Sequence, residues 1–239
     1  MNGNKAVKEA FTELSSHYEE TVDDELRTFW GWSYQGFVER LIDQTPIKPH
    51  DRILDVATGT AVIPRMFVTH GTNQNQFVGL DITEAMLQEG QQKINRGNPR
   101  SPIHLTCGDA MSLPFPSRCY DVVVSGLATH HMDIRQMLSE SFRVLKVGGS
   151  FSIVDVGVSP FWQSAFMQIV SRIFAFVYFL FKENISRAWA EAEAVTNVWT
   201  GEDWQQALAD IGFQDIEIDK IHSGRKWIPD PLAIKAKKR

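Results

Sequence analysis

The chain has 239 residues, 43% of them hydrophobic, enough to build one domain with a sizeable core and too apolar for a disordered chain. A formal net charge of -5 argues against a polyanion-binding protein, so no nucleic-acid partner is expected, and the one basic run, Lys235-Ala-Lys-Lys-Arg239, reads as a solvated end. Two cysteines, Cys107 and Cys119, make no disulfide framework, and the polar N-terminal stretch lacks the apolar core of a signal peptide. A cytoplasmic location is the expectation.

From Lys5 to about Gln44, Phe11, Leu14, Tyr18, Leu26, Phe37, Val38 and Leu41 recur among charged residues in a helical pattern. Thr45-Pro-Ile-Lys-Pro49 breaks it, because proline disfavours helix at itself and at the residue before. Arg52–Val56 then predicts a strand, and Thr60–His70 a helix that tolerates Pro64 in its first turn. Gln76–Leu80 is a second strand ending at Asp81, with Thr83 as N-cap of the helix that follows. Ile103–Thr106 and Tyr120–Ser125 are the third and fourth strands. Ile134–Leu145 has helical spacing and is expected to stop at Gly148-Gly149. Phe151–Val156 is the fifth strand. Thr200-Gly-Glu-Asp203 has capping-box spacing and opens a helix to Ile211, which Gly212 ends. Phe213–Ile221 and Leu232–Lys237 read as two closing strands.

Strands alternating with helices imply a parallel sheet wound by right-handed crossovers. The predicted fold class is therefore α/β: a Rossmann-like, seven-strand, mostly parallel sheet with helices on both faces. Residues 1–50 form a helical N-terminal lobe of the same domain, and residues 51–239 form the core, with 157–199 inserted after the fifth strand. Within that insertion, Phe161–Phe181 is twenty-one mostly apolar residues, nearly the length of a membrane span. Gln163, Gln168 and Arg172 inside it argue against spanning. A lid or core helix, a peripheral membrane contact and a homodimer face stay open.

In an open parallel sheet, ligands bind beyond the carboxyl ends of the strands, near the point where strand order reverses. Polar residues stand at those ends here: Asp55, Asp81, Asp109, Ser125-Gly126 and Asp155. The stretch RILDVATGTA (Arg52–Ala61) resembles a nucleotide-binding turn but holds only Gly59. A dinucleotide fingerprint would need glycine at Ala57, Gly59 and Val62, and a P-loop would need Gly-Lys-Ser/Thr. A ligand without phosphates needs one small residue and neighbouring polar groups, which Thr58, Gly59 and Thr60 supply. Asp81, 26 residues after Asp55, suits the hydroxyls of a ribose, and Gly108-Asp109-Ala110 could meet an adenine. A ribose, an adenine and no phosphate describe S-adenosylmethionine.

Four stretches in order carry a family resemblance: ILDVATGTA, FVGLDITEAML, GDAMSLPFPSRCYDVVVSGLATHHM and MLSESFRVLKVGGSFSIVDV, with weaker agreement in DWQQALADIGF. Over about Arg52 to Val156 the chain resembles the class I S-adenosylmethionine-dependent methyltransferases, in the small-molecule branch that includes the ubiquinone and menaquinone biosynthesis enzymes. It departs from the usual Asp-x-Gly-x-Gly-x-Gly loop by having Ala57 and Ala61 at the outer positions, and alanine at the second brings a methyl group towards the amino-acid end of the cofactor. The resemblance implies that Asp55, Ala57, Thr58, Gly59 and Thr60 face the methionine moiety and Asp81 the ribose. It implies that Ile82 and Met86 flank the adenine, that Asp109 and Ala110 hold its edge, and that Ser125 lies below the sulfonium.

Methyl transfer is a one-step displacement in which the protein mainly aligns the acceptor. A phenolic acceptor would benefit from a base, and His130 or His131, following the fourth strand, is expected to serve, with Asp155 a weaker candidate. Nothing resembling an Asp-Asn pair follows the fifth strand, so no metal is expected. Phe29-Trp-Gly-Trp-Ser-Tyr34 packs four aromatics into six residues. Tyr18, Trp30, Trp32 and His130 are the expected acceptor contacts. The expected function is methyl transfer to carbon or oxygen of a hydrophobic small molecule: a quinol, phenol, lipid or polyketide-like compound. The alternatives are a cyclase or binding module that keeps the cofactor, and a nicotinamide oxidoreductase, which the missing glycines disfavour.

Overall fold

Seven strands form one sheet in the order β3-β2-β1-β4-β5-β7-β6. They are β1 (Arg52–Val56), β2 (Gln76–Asp81), β3 (Ile103–Cys107), β4 (Tyr120–Gly126), β5 (Leu145–Asp155), β6 (Phe213–Lys220) and β7 (Leu232–Lys238). β1 to β5 are parallel, and β7 runs antiparallel between β5 and β6. The computed structural model describes residues 3–71, 74–97, 102–222 and 228–239, and side chains from Val7 onward. This is the predicted α/β architecture.

The central strands are buried on both faces, as parallel strands covered by helices must be: four of the five residues of β1 are buried. One face packs against α1 (Gly3–Leu14), α2 (Tyr18–Trp30), α3 (Tyr34–Gln44), α4 (Val62–Thr69) and α5 (Glu84–Gly97), and its core joins Leu14, Tyr18, Val22 and Phe37 to Ile53, Phe67 and Phe77. The N-terminal helices thus share a core with the sheet. The other face packs Leu54, Val123 and Phe151 against Leu138 of α6 (Ile134–Val144) and Trp204 and Leu208 of α9 (Gly201–Ile211). Helix α9 carries the expected capping box, and Gly212 ends it at φ 108°. Between β5 and α9 stand α7 (Ala165–Lys182) and α8 (Ile185–Ala194).

Two local expectations are corrected. The helix expected to stop at Gly148-Gly149 ends at Val144, because Leu145 is already extended and pairs with Tyr120 in the sheet. The two glycines lie inside β5, where the register jumps from Tyr120↔Leu145 to Val122↔Ser150, so they mark a bulge in a strand. The C-terminal basic run is no solvated end. Its residues Lys235 to Lys238 lie in β7, an interior strand whose alternate positions point inward. Lys238 is buried and donates from Nζ to the carbonyls of Phe142 and Leu145, while Lys235 pairs with Glu217 and Arg239 with Asp215.

Candidate functional site at the strand-order reversal

Strand order reverses at β1, whose neighbours are β2 and β4. A cavity of about 710 Å³, counted to its open mouth, lies beyond the carboxyl ends of β1 to β4. The loop after β1 gives it Ala57 and Gly59, the end of β2 Asp81, Ile82 and Thr83, and α5 Met86. The loop after β3 gives Asp109 and Ala110, and the segment after β4 gives Leu127, Ala128 and His131. Tyr18 and Phe11 close it from the N-terminal helices.

The glycine-poor loop keeps a glycine-like path. Ala57, Gly59 and Ala61 all have positive φ, at 58°, 54° and 60°. The two alanines therefore occupy the left-handed conformation that glycine adopts without a steric penalty. The Ala61 methyl group is fully buried in the core, so it does not crowd the cavity as the loop pattern led one to expect. Gly59 is positioned by its N–H, which donates to Asp81 Oδ2 at 2.9 Å, and a Cβ there would stand 3.6 Å from the Tyr18 ring.

Asp81 also accepts from the Thr83 N–H through Oδ1 at 2.8 Å, so it locks the loop after β1 to the start of α5 while facing the cavity. Burial raises its pKa, although those N–H donors pull the other way. Asp55 does not line the cavity. It is buried beneath the loop, accepts from the Thr58 hydroxyl at 2.6 Å, and leaves Oδ1 without a partner. Burial, with Asp81 nearby, pushes the Asp55 carboxyl up to about 8. Thr58, Thr60 and Ser125 are also buried away from the cavity. Thr60 donates to Glu19, and Ser125 donates to the Val56 carbonyl, tying β4 to β1. Asp109 lines the cavity and caps its own turn by accepting from the Met111 N–H.

The charge of the cavity tests the expected cofactor. Asp81 and Asp109 line it, Asp55 lies behind it with an unpartnered oxygen, and no lysine or arginine is among the lining residues. A pyrophosphate would meet Asp81 and Asp109 and no lysine or arginine side chain. A nucleoside carrying sulfonium and ammonium charges fits this acid-lined surface, and its cationic groups suit the carboxylates.

The two histidines separate. His130 is turned away from the cavity, its Nδ1 3.0 Å from Asp155 Oδ1. Burial alone would lower its pKa, but the Asp155 carboxylate holds it above the ordinary histidine value. Asp155 is no free base: its oxygens accept from the N–H groups of Ala128, Thr129 and Val156 and from the Thr129 hydroxyl, and beside His130 it stays below the usual carboxylate range despite burial. His131 lines the cavity. Its Nε2 lies 3.4 Å from Glu191 Oε1, and its buried Nδ1 has no protein partner. Burial and the neighbouring His130 charge lower its pKa, against the pull of Glu191.

Trp30 and Trp32 are not in the cavity wall. Trp30 donates its indole N–H to the Pro229 carbonyl at 2.9 Å, and both rings pack on the core of the N-terminal face. Sequence reasoning missed Phe11 and the α8 residues behind His131. Buried Arg187 pairs with Glu191 at 3.1 Å, Glu25 at 3.5 Å and Glu183 at 3.8 Å, and its guanidinium lies 4.8 Å from the Phe11 ring centroid. The spacing Glu183, Arg187, Glu191 was the available signal, since residues four apart share a helix face. His130, His131 and Glu191 also gather like metal ligands, their donor atoms within 4.8 Å of one another, but Arg187 already engages the Glu191 carboxylate.

A seven-strand sheet of this order, with β7 antiparallel, a cavity at its reversal and an acid at the tip of β2, is the class I methyltransferase fold. The model of the ubiE/COQ5 methyltransferase family matches residues 1–228, and the chain belongs to that family. It is 31% identical over 176 residues to a demethylmenaquinone methyltransferase of Symbiobacterium thermophilum, covering 73% of this chain and 64% of that protein. Against the demethylmenaquinone methyltransferase of Lactobacillus johnsonii it is 26% identical over 243 residues, covering 98% of this chain and 95% of the relative. Among solved structures it is similar to Haemonchus contortus phosphoethanolamine N-methyltransferase 2 in complex with S-adenosyl-L-methionine. That match has a TM-score of 0.67 at 17% identity and covers 86% of this chain and 53% of the other, a likeness of fold.

Proposed function

We propose that the protein transfers the methyl group of S-adenosylmethionine to a ring carbon of a hydrophobic quinol. The observation that carries the reading is that Asp81, Gly59 and His131 line one cavity. The family match and the relatives named for demethylmenaquinone support it. The cofactor supplies an electrophilic methyl group on a cationic sulfur.

Asp81 accepts the ribose hydroxyls, and Ile82, Met86 and Ala110 enclose the adenine. Phe11 and Tyr18, backed by the aromatic core, exclude water and hold the acceptor ring. Glu191 fixes the His131 tautomer with hydrogen on Nε2, which leaves the Nδ1 lone pair to take the phenolic proton. The electron pair left on oxygen would make the adjacent ring carbon nucleophilic. That carbon would take the methyl group as the methyl–sulfur bond breaks with its electron pair going to sulfur, and loss of the carbon's own proton to water would restore the ring. A depressed pKa keeps His131 neutral near pH 7, as a base must be. His130, bound to Asp155, orients the segment that carries it.

Titration calorimetry with S-adenosylhomocysteine, with NADH as control, tests the cofactor, and mass analysis of a reduced naphthoquinone acceptor tests the transfer. Binding of S-adenosylhomocysteine alone, with a product one methyl group heavier, is expected. Binding of neither nucleotide, or binding without transfer, would overturn the reading.

A further inference from the structure

The apolar stretch after β5 lies largely on the outside of the molecule. Helix α7 is long and apolar enough to cross a membrane, with mean hydropathy 1.5, yet only Ala175 and Phe179 in it are buried. Phe166, Ile169, Ile173, Phe174, Val177 and Phe181 are exposed, from 44% at Val177 to 86% at Phe181. Their spacing puts them on one face of the helix. A soluble surface helix turns such a face inward. Here it faces out, while Gln168 and Ser171 are half-buried. An apolar patch this continuous marks a binding surface.

Charge and position choose what binds it. Phe161–Lys182 contains Arg172 and Lys182 and no acid, in a chain of net charge -5. Arg172 is exposed and forms no ion pair among the described residues, and Lys182 lies over the Tyr178 ring, 5.7 Å from its centroid. Packed along α7, α8 adds exposed Ile185 and Trp189. Cations and an aromatic ring beside an apolar face are the make-up of a helix lying in a membrane interface. A second copy would instead bring two acid-free cationic segments together. The hairpin also leads inward: Glu191 of α8 meets His131, and Arg187 lies over Phe11, both of which line the cavity.

We propose that the α7–α8 hairpin docks the protein on an anionic lipid bilayer, with α7 in the boundary between headgroups and acyl chains. An acceptor with a long apolar tail then enters the cavity from the bilayer without crossing water. The second statement rests on the quinol reading, whereas the docking itself does not.

The test is flotation of the full chain with vesicles of phosphatidylcholine, alone or mixed with phosphatidylglycerol. Binding to the mixed vesicles is expected, and replacing Phe166, Ile173 and Phe181 by serine should abolish it while thermal melting and S-adenosylhomocysteine binding stay at wild-type values. The pair Arg172→Gln and Lys182→Gln should remove the preference for the anionic lipid. Failure of the wild-type chain to float would overturn the proposal. So would a dimer, seen by light scattering, that the serine variant dissociates. A chain that floats but methylates neither a tailless nor a long-tailed quinol would keep the docking and sink the acceptor reading.

Discussion

The Nε2 atom of His131, just beyond β4, lies 3.4 Å from the carboxylate of Glu191 on α8, and that carboxylate is held in turn by Arg187 at 3.1 Å. The contact joins the nucleotide-binding core to the helical hairpin behind the cavity. On the proposed reaction, this contact favours the hydrogen on Nε2 and leaves Nδ1 to act as the base. Removing the imidazole by His131→Asn should lower turnover by roughly 10²–10⁴, the usual worth of a general base. Binding of S-adenosylhomocysteine should not change. A turnover equal to wild type would reduce His131 to a loop residue.

Glu191→Gln tests the same contact through pH. The carboxylate raises the His131 pKa against burial, so its loss should move the acidic limb of the kcat/KM profile to lower pH and reduce the plateau. A merely structural Glu191 would lower the plateau and leave the limb in place.

Asp81 faces the cavity with both oxygens already receiving a backbone N–H, from Gly59 and Thr83. Asp81→Ala should weaken S-adenosylhomocysteine binding by about 1.5–3 kcal/mol, the worth of hydrogen bonds to a charged group. Part of that loss will come from the loop, which Asp81 holds. Asp81→Asn, which keeps one acceptor oxygen, should lose less. Calorimetry showing equal affinity for wild type and Asp81→Ala would displace the ribose from this residue.

The residues of the cavity floor were readable because the parallel sheet puts them at strand ends. Ala57, Gly59, Asp81, Ile82, Met86, Asp109 and Ala110 all line the cavity. Asp55, Thr58, Thr60 and Ser125, expected beside them, lie one layer deeper, where the same motif builds the support for the loop. Trp30 and Trp32 pack on the core and not in the cavity wall, a distinction that an aromatic-rich sequence does not make. The roof was not readable. Phe11 and Glu191 reach His131 through tertiary packing of α1 and α8; the spacing of Glu183, Arg187 and Glu191 marks a charged helix face but not what it packs against.

Ala57 offers a check on the loop path. At φ 58° alanine carries a penalty of roughly 1–2 kcal/mol in the left-handed region, of which glycine returns about 0.5–1 through its freer unfolded chain. Ala57→Gly should therefore raise the melting temperature by a few degrees in scanning calorimetry. Ala61→Gly should gain less, because its buried methyl group contributes about 0.8 kcal/mol to the core. A lower melting temperature for Ala57→Gly would mean that its methyl group packs better than the strain costs.

Asp55 and Glu25 make stability depend on pH with a defined sign. Burial pushes Asp55 up to about 8, and burial pushes Glu25 up to about 7 in spite of Arg187. Unfolded, both titrate near 4. Between those limits the folded chain holds more protons than the unfolded one, so stability falls as pH rises. Each contribution is full below about pH 4 and lost as pH passes the folded value. Asp155 and Glu191, held below the carboxylate range, act oppositely and withdraw stability in acid. The melting temperature of the ligand-free protein should therefore peak in mildly acidic buffer, decline from there to about pH 8 and level off above it. Asp55→Asn should flatten the upper part of that decline and raise the melting temperature at pH 9, and Glu25→Gln should flatten the part near pH 7. Parallel curves for Asp55→Asn and wild type would show that the Asp55 carboxylate ionises in place at no cost, and that its buried Oδ1 has found a donor.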